Sequence, residues 1–162
     1  MSAVNPVTAS WLIQAYEDLR SALALLDVDA WSNSSMLAQQ AAEKFAKAIL
    51  LHGGVVPPMT HNLLKLNDAI ASAGLAELTD AHRQAAADLT KVFSTSRYPQ
   101  LELESAPCQI YTRMDALNAL RCAALFFDLA VALMPGAVAT VLPGKREGFA
   151  AAWIKLSSMT AP

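Results

Sequence analysis

Residues 38–54 read Ala38-Gln39-Gln40-Ala41-Ala42-Glu43-Lys44-Phe45-Ala46-Lys47-Ala48-Ile49-Leu50-Leu51-His52-Gly53-Gly54. Together with Met36 or Leu37, the residues Ala41, Phe45, Ala48 and Leu51 or His52 recur at spacings of three and four. They therefore share one side of a helix. Gly53-Gly54 is a usual helix stop. Gln40, Glu43 and Lys47 fall on a stripe opposite Phe45 and Ala48, with Gln39 and Lys44 beside it. Taken alone, the stripe reads as a solvated face with an i, i+4 Glu43–Lys47 pair worth a few tenths of a kcal/mol. The polar run Ser32 to Ser35 supplies N-caps for this second helix, which is expected to run to about His52.

Helices extend outward on both sides. Before it, Thr8 or Ser10 is expected to cap a first helix reaching Leu26, with Trp11, Ala15, Leu19, Ala22 and Leu26 on its buried face. After it, Pro57-Pro58 makes an extended connector. Thr60 is expected to cap a third helix carrying Leu63, Leu66 and Ile70 and ending at Gly74. A fourth runs from Thr79 or Asp80 to about Phe93, and residues 94–107 form a loop containing Arg97-Tyr98-Pro99. A fifth, from about Cys108 to Met134, stops at Pro135-Gly136. Its span from Leu117 to Leu133 is apolar nearly all round, as in a helix central to a bundle or buried at a subunit interface. Beyond it, Glu147 to Leu156 has the pattern of a sixth short helix, with Phe149, Trp153 and Leu156 as its apolar side.

Composition agrees with this pattern. About one residue in five of the 162 is Ala, only six are Gly, and 54% are hydrophobic. Ala is the best helix former, and β-branched alternation is scarce, so an all-α bundle is expected. A charged fraction of 16% is too low for disorder. A net charge of −2 excludes a broadly basic nucleic-acid coat. Met1 to Ser10 has no Lys or Arg ahead of its apolar residues, unlike a signal peptide. The longest uncharged stretch, between Asp128 and Lys145, is broken by Pro135, Gly136 and Pro143 and falls short of the roughly 18–20 apolar residues of a span. No membrane association and a cytoplasmic location are expected. Cys108 and Cys122 do not make a disulfide framework.

Several chemistries lack their residues. There is no glycine-rich phosphate loop followed by Lys-Ser or Lys-Thr, and no Gly-x-Ser-x-Gly elbow. The residues three before His52, His61 and His82 are Ile49, Pro58 and Thr79, so the Glu-x-x-His pairs of a di-iron bundle are absent. Neither metal nor cofactor is expected, and no catalytic residue is assigned. His61, at the start of the third helix, lies where free N–H groups and the positive dipole end suit an anion. Arg97, in a loop stiffened by Pro99, has the fork to grip a phosphate or a carboxylate such as Glu43. The aromatic set Trp11, Phe45, Tyr98, Phe126 and Phe127 reads as core.

Four pieces occur in a telling order. They are Trp11-x3-Ala15-x2-Asp18-Leu19-x2-Ala22, then Ala38 to Ala48, then Pro57-Pro58-x-Thr60-His61-Asn62-Leu63, then Ser96-Arg97-Tyr98-Pro99. Together they resemble the HEPN domain, the higher-eukaryote and prokaryote nucleotide-binding domain, over roughly residues 11–134. The resemblance implies a five-helix, mostly antiparallel bundle at residues 8–134, leaving residues 135–162 as a C-terminal extension. It implies a homodimer, often paired with a nucleotidyltransferase as in toxin–antitoxin systems. Some members are metal-independent RNases that use an Arg followed four to six residues later by His. No Arg in this chain is so followed.

The leading expectation is a non-catalytic, nucleotide-interacting accessory domain. Its polar site comprises Gln40, Glu43, Lys47, His61 and Arg97, with Lys47 and Arg97 on phosphate and Gln40 on ribose or base. Glu43 is expected to orient Arg97 or Lys47. The competing expectation is a protein-interaction module in which the same residues are an internal brace. RNase activity ranks third.

Overall fold

The computed structural model describes residues 4–102 and 104–158, with side chains described as far as Ile154. Eight α-helices occur among them. They are α1 (Pro6–Ala24), α2 (Trp31–His52), α3 (Leu63–Ser72), α4 (Asp80–Thr95), α5 (Pro107–Ile110), α6 (Arg113–Leu133), α7 (Pro135–Val141) and α8 (Lys145–Ser158). A 3-10 turn, Leu25–Val28, joins α1 to α2. The fold is an all-α, mostly antiparallel bundle.

The helix starts differ from expectation for local reasons. Asn5, not Thr8 or Ser10, caps α1 by accepting from the Val7 amide at 2.8 Å, with Pro6 supplying a preset φ in the first turn. Thr8 is fully buried, and the Ser10 hydroxyl donates back to the Pro6 carbonyl. The serine run does not cap α2. The helix starts one residue earlier, and Ser32, Ser34 and Ser35 are buried within it. There Ser34 Oγ donates to the Ala22 carbonyl of α1 at 2.7 Å. Asn62, rather than Thr60, caps α3 by accepting from the Lys65 amide. Thr79 caps α4, which begins at Asp80, one of the two expected starts.

The expected fifth helix is two. Thr112 is extended, and its side chain and that of Asp115 each bond the other's backbone amide, so a capping box starts α6 afresh after the short α5. Pro135 does not end the helical region. It takes the first position of α7, where its missing N–H costs nothing.

The hub of the bundle is α2, which packs on α1, α3, α4 and α6. Its Phe45 stacks on Phe127 of α6 with centroids 5.1 Å apart. Tyr16 of α1 and Phe149 of α8 close on the same Phe127 ring. Tyr98, expected in the core, is 64% exposed, and Trp11 is only partly covered. Leu156 lies outside the described side chains.

By length and composition α6 is apolar enough to cross a membrane, with 21 residues and a mean hydropathy of 1.7 over its most apolar window. A search for uncharged runs passes over this helix because Arg121 and Asp128 interrupt it. Half of that window is buried in the bundle, against α2 and α4.

Candidate functional site

The stripe on α2 is not a solvated face. Gln39 is fully buried and Glu43 nearly so; His61, just before α3, and Arg97, just after α4, reach them from outside α2. A carboxylate there needs partners, and it has three. Lys47 Nζ donates to Glu43 Oε1 at 2.8 Å, and Gln39 Nε2 donates to Oε2 at 2.9 Å. His61 Nδ1 lies 3.2 Å from each oxygen. Burial pushes the Glu43 carboxyl up, but the bonds from Lys47 and Gln39, the Lys47 charge and the His61 contact outweigh it. The group sits below the ordinary carboxylate value.

Arg97 enters from the end of α4, where Arg97 and Tyr98 both donate their amides to the Ser94 carbonyl. Its Nη2 donates to Gln39 Oε1 at 3.1 Å. Its Nε is buried and has no hydrogen-bond partner among the described residues. The expected fork from Arg97 onto Glu43 is therefore corrected: the shorter-reaching amide of Gln39 stands between them and accepts from the guanidinium while donating to the carboxylate.

Phe93 of α4 organises the outer edge. The His61 ring stacks on it with centroids 4.4 Å apart and planes 14° from parallel. The Arg97 guanidinium carbon lies 4.3 Å from the same centroid. His61 itself is 59% exposed. An ionised carboxylate only accepts, so its Nδ1 carries the hydrogen toward Glu43, and Nε2 has no hydrogen-bond partner among the described residues.

A second branch runs toward α1. Gln40 Nε2 donates to Gln39 Oε1, and Gln40 Oε1 accepts from Lys44 Nζ at 3.1 Å. Lys44 pairs with Asp18 at 2.5 Å, and Gln14 donates to the other Asp18 oxygen. Lys47 Nζ also lies 5.5 Å from the centre of the Trp11 ring. The five expected residues are thus joined in one network.

The anion seat expected at the start of α3 does not form. His61 precedes the Asn62 cap, the Leu63 amide donates to Thr90 Oγ1, and the Lys65 amide donates to Asn62. The sequence reading left Gln39 at the margin and missed Phe93. Phe93 and Arg97 stand at i, i+4, a spacing the sequence offers, but nothing in it marks the arrival of His61 from the segment before α3.

A larger cleft of about 570 Å³ lies away from this cluster, between α4 and α6, lined in part by Lys91, Tyr111, Arg121 and Cys122. Burial pushes the Cys122 thiol up to about 11, so it is not a ready nucleophile. Cys108 and Cys122 are both free. Among the described residues no group of three or more His, Cys, Asp or Glu is placed to hold a metal.

The sequence profile of the HEPN domain matches residues 8–133. Two solved structures are similar. One is TT1696 from Thermus thermophilus, with 28% identity and a TM-score of 0.71 over 76% of this chain and 94% of that one. The other is ST0689, an archaeal HEPN homologue, with 28% identity and a TM-score of 0.63 over 76% of this chain and 93% of that one. No curated protein matches the chain.

Proposed function

The chain belongs to the HEPN domain family, and from that premise we propose that it is a nucleotide-interacting accessory domain rather than a catalyst. The observation that carries the reading is the meeting of His61 and Arg97 on Phe93, beside the Glu43–Lys47 pair. These residues come from three separate parts of the chain. The network holds Lys44, Lys47 and Arg97 against Asp18 and Glu43, an excess of one cation with His61 counted as neutral. A guanidinium has five N–H groups. Arg97 uses one on Gln39, which leaves capacity for a phosphate.

In this reading Arg97 and Lys47 contact phosphate, and His61 stands at the anionic end. Gln40 bonds ribose or base. Glu43 orients Lys47 and His61. The test is thermal unfolding with millimolar mono-, di- and triphosphate nucleotides. A site with a Kd one hundredth of the ligand concentration adds about 2.7 kcal/mol, which raises Tm by several degrees. The shift is expected in the native protein and absent in His61→Ala and Arg97→Ala. No shift with any nucleotide overturns the reading.

Family membership also supports a homodimer and a nucleotidyltransferase partner, in a toxin–antitoxin-like pair; the two unpaired cysteines fit a reducing cytoplasm. The outward side of α6, with Met114 exposed and Leu125 partly so, is the surface a second copy would cover. Light scattering that finds a monomer at micromolar concentration overturns the dimer. Failure to co-purify with a co-expressed neighbouring nucleotidyltransferase removes the partner.

The second reading is an internal brace within a protein-interaction module. It is favoured by Gln39, which is fully buried yet joins Arg97 to Glu43. Its signature is a destabilised Arg97→Ala protein together with a native protein that ignores every nucleotide.

A further inference from the structure

We propose that Trp11 is the platform for the base of the bound nucleotide, so that the site selects a nucleoside phosphate over a bare polyphosphate. The proposal rests on the reading of the network as a nucleotide site. It is carried by Lys47. That side chain donates to Glu43, which holds His61, and its ammonium also stands 5.5 Å from the Trp11 ring centre. One lysine thus separates a charged end, with His61 and Arg97, from an aromatic end. A nucleotide has the same division, with a π-face at one end and anionic oxygens at the other.

The aromatic end offers a ring to an open surface recess. Trp11 is only partly covered, unlike Phe45, Phe126 and Phe127 in the core. With Ser10, Gln14 and Lys44 it lines a shallow recess open to the surface. The rim can meet a base edge in both senses. Gln14 donates its amide to Asp18, and its carbonyl oxygen, without a partner among the described residues, can accept. Lys44 supplies a donor. Stacking of a base on an aromatic side chain tolerates any base, because every base has a π-face. Trp11 therefore separates bases from no base, and the rim residues bias the choice among bases.

Titration calorimetry of the full chain tests this, with ATP, GTP and inorganic tripolyphosphate as probes. Each nucleotide is expected to bind about tenfold or more tightly than tripolyphosphate, the scale of one aromatic–base stack. Trp11→Leu should abolish that advantage while leaving tripolyphosphate affinity within about twofold, and Trp11→Phe, which keeps a ring, should retain most of it. Equal affinity of the native protein for nucleotide and tripolyphosphate overturns the platform and leaves the phosphate site standing. So does a Trp11→Leu protein that keeps the nucleotide advantage, or one that loses both ligands equally. Absence of binding by all three probes overturns the nucleotide reading itself.

Discussion

Nδ1 of His61 lies 3.2 Å from both carboxylate oxygens of Glu43, so an exposed imidazole is held by a buried anion. The same anion receives Lys47 and Gln39. His61 is consequently fixed as the tautomer with its hydrogen on Nδ1, which leaves Nε2 as the atom that can meet a ligand.

Acid should dismantle this arrangement in a definite pH range. The Glu43 carboxyl is held below its ordinary value in the folded chain, so the folded state binds fewer protons there than the unfolded state. Its contribution is complete above the unfolded value and is lost as pH falls through the lowered folded value. Denaturant unfolding at pH 7 and below about pH 4 should show native protein losing more stability than Glu43→Gln does. Parallel losses in the two proteins would mean that Glu43 has no such role.

Arg97→Ala removes a donor from Gln39 Oε1, which keeps only the long bond from Gln40. A cost of about 1–2 kcal/mol is expected. Phe93→Leu should cost less in stability yet loosen both His61 and Arg97, and so abolish the nucleotide-induced rise in Tm. A Phe93→Leu protein with the full native shift would separate the ring from the site.

Phe149 is 6% exposed and meets Phe127 edge-on, with centroids 6.1 Å apart. Phe149→Ala should destabilise the protein by about 3 kcal/mol if α8 folds as one unit with the bundle. A change below about 0.5 kcal/mol, the range of ordinary surface substitutions, would show that the extension unfolds independently.

Incubation with single-stranded RNA at high protein concentration should leave the RNA intact. Although His61 and Arg97 share a ring, His61 is already bonded to Glu43, and no Arg is followed by His after four to six residues. Cleavage that disappears in both His61→Ala and Arg97→Ala would assign catalysis to this pair.

The helices were legible because Leu63, Leu66 and Ile70, or Ala41, Phe45 and Ala48, repeat with the helical period and are all buried. The caps were less so. Asn5 and Asn62 compete with nearby Thr and Ser residues of similar capping strength, and which one wins depends on where the chain enters the bundle. Family order pointed to the five polar residues, but their pairing lies outside the reach of spacing. Gln39 looks like a flanking surface amide until α4 brings Arg97 against it. Phe93 looks like one more apolar residue, with Arg97 four positions on, until His61 arrives from another segment.

The alanine content of the α1–α2 pair has a consequence for register. Ala15, Ala22, Ala38, Ala41, Ala42 and Ala46 are all buried, and such small side chains let two helices approach closely while giving their surfaces little relief. Sliding one helix along the other by a turn would present nearly the same apolar profile. The slide would instead break Asp18–Lys44 at one point and the bond from Ser34 to the Ala22 carbonyl at another, stranding polar groups against alanine. The polar contacts, more than the greasy ones, then select a single alignment of the two helices. The same alignment sets Trp11 of α1 beside Lys47 of α2.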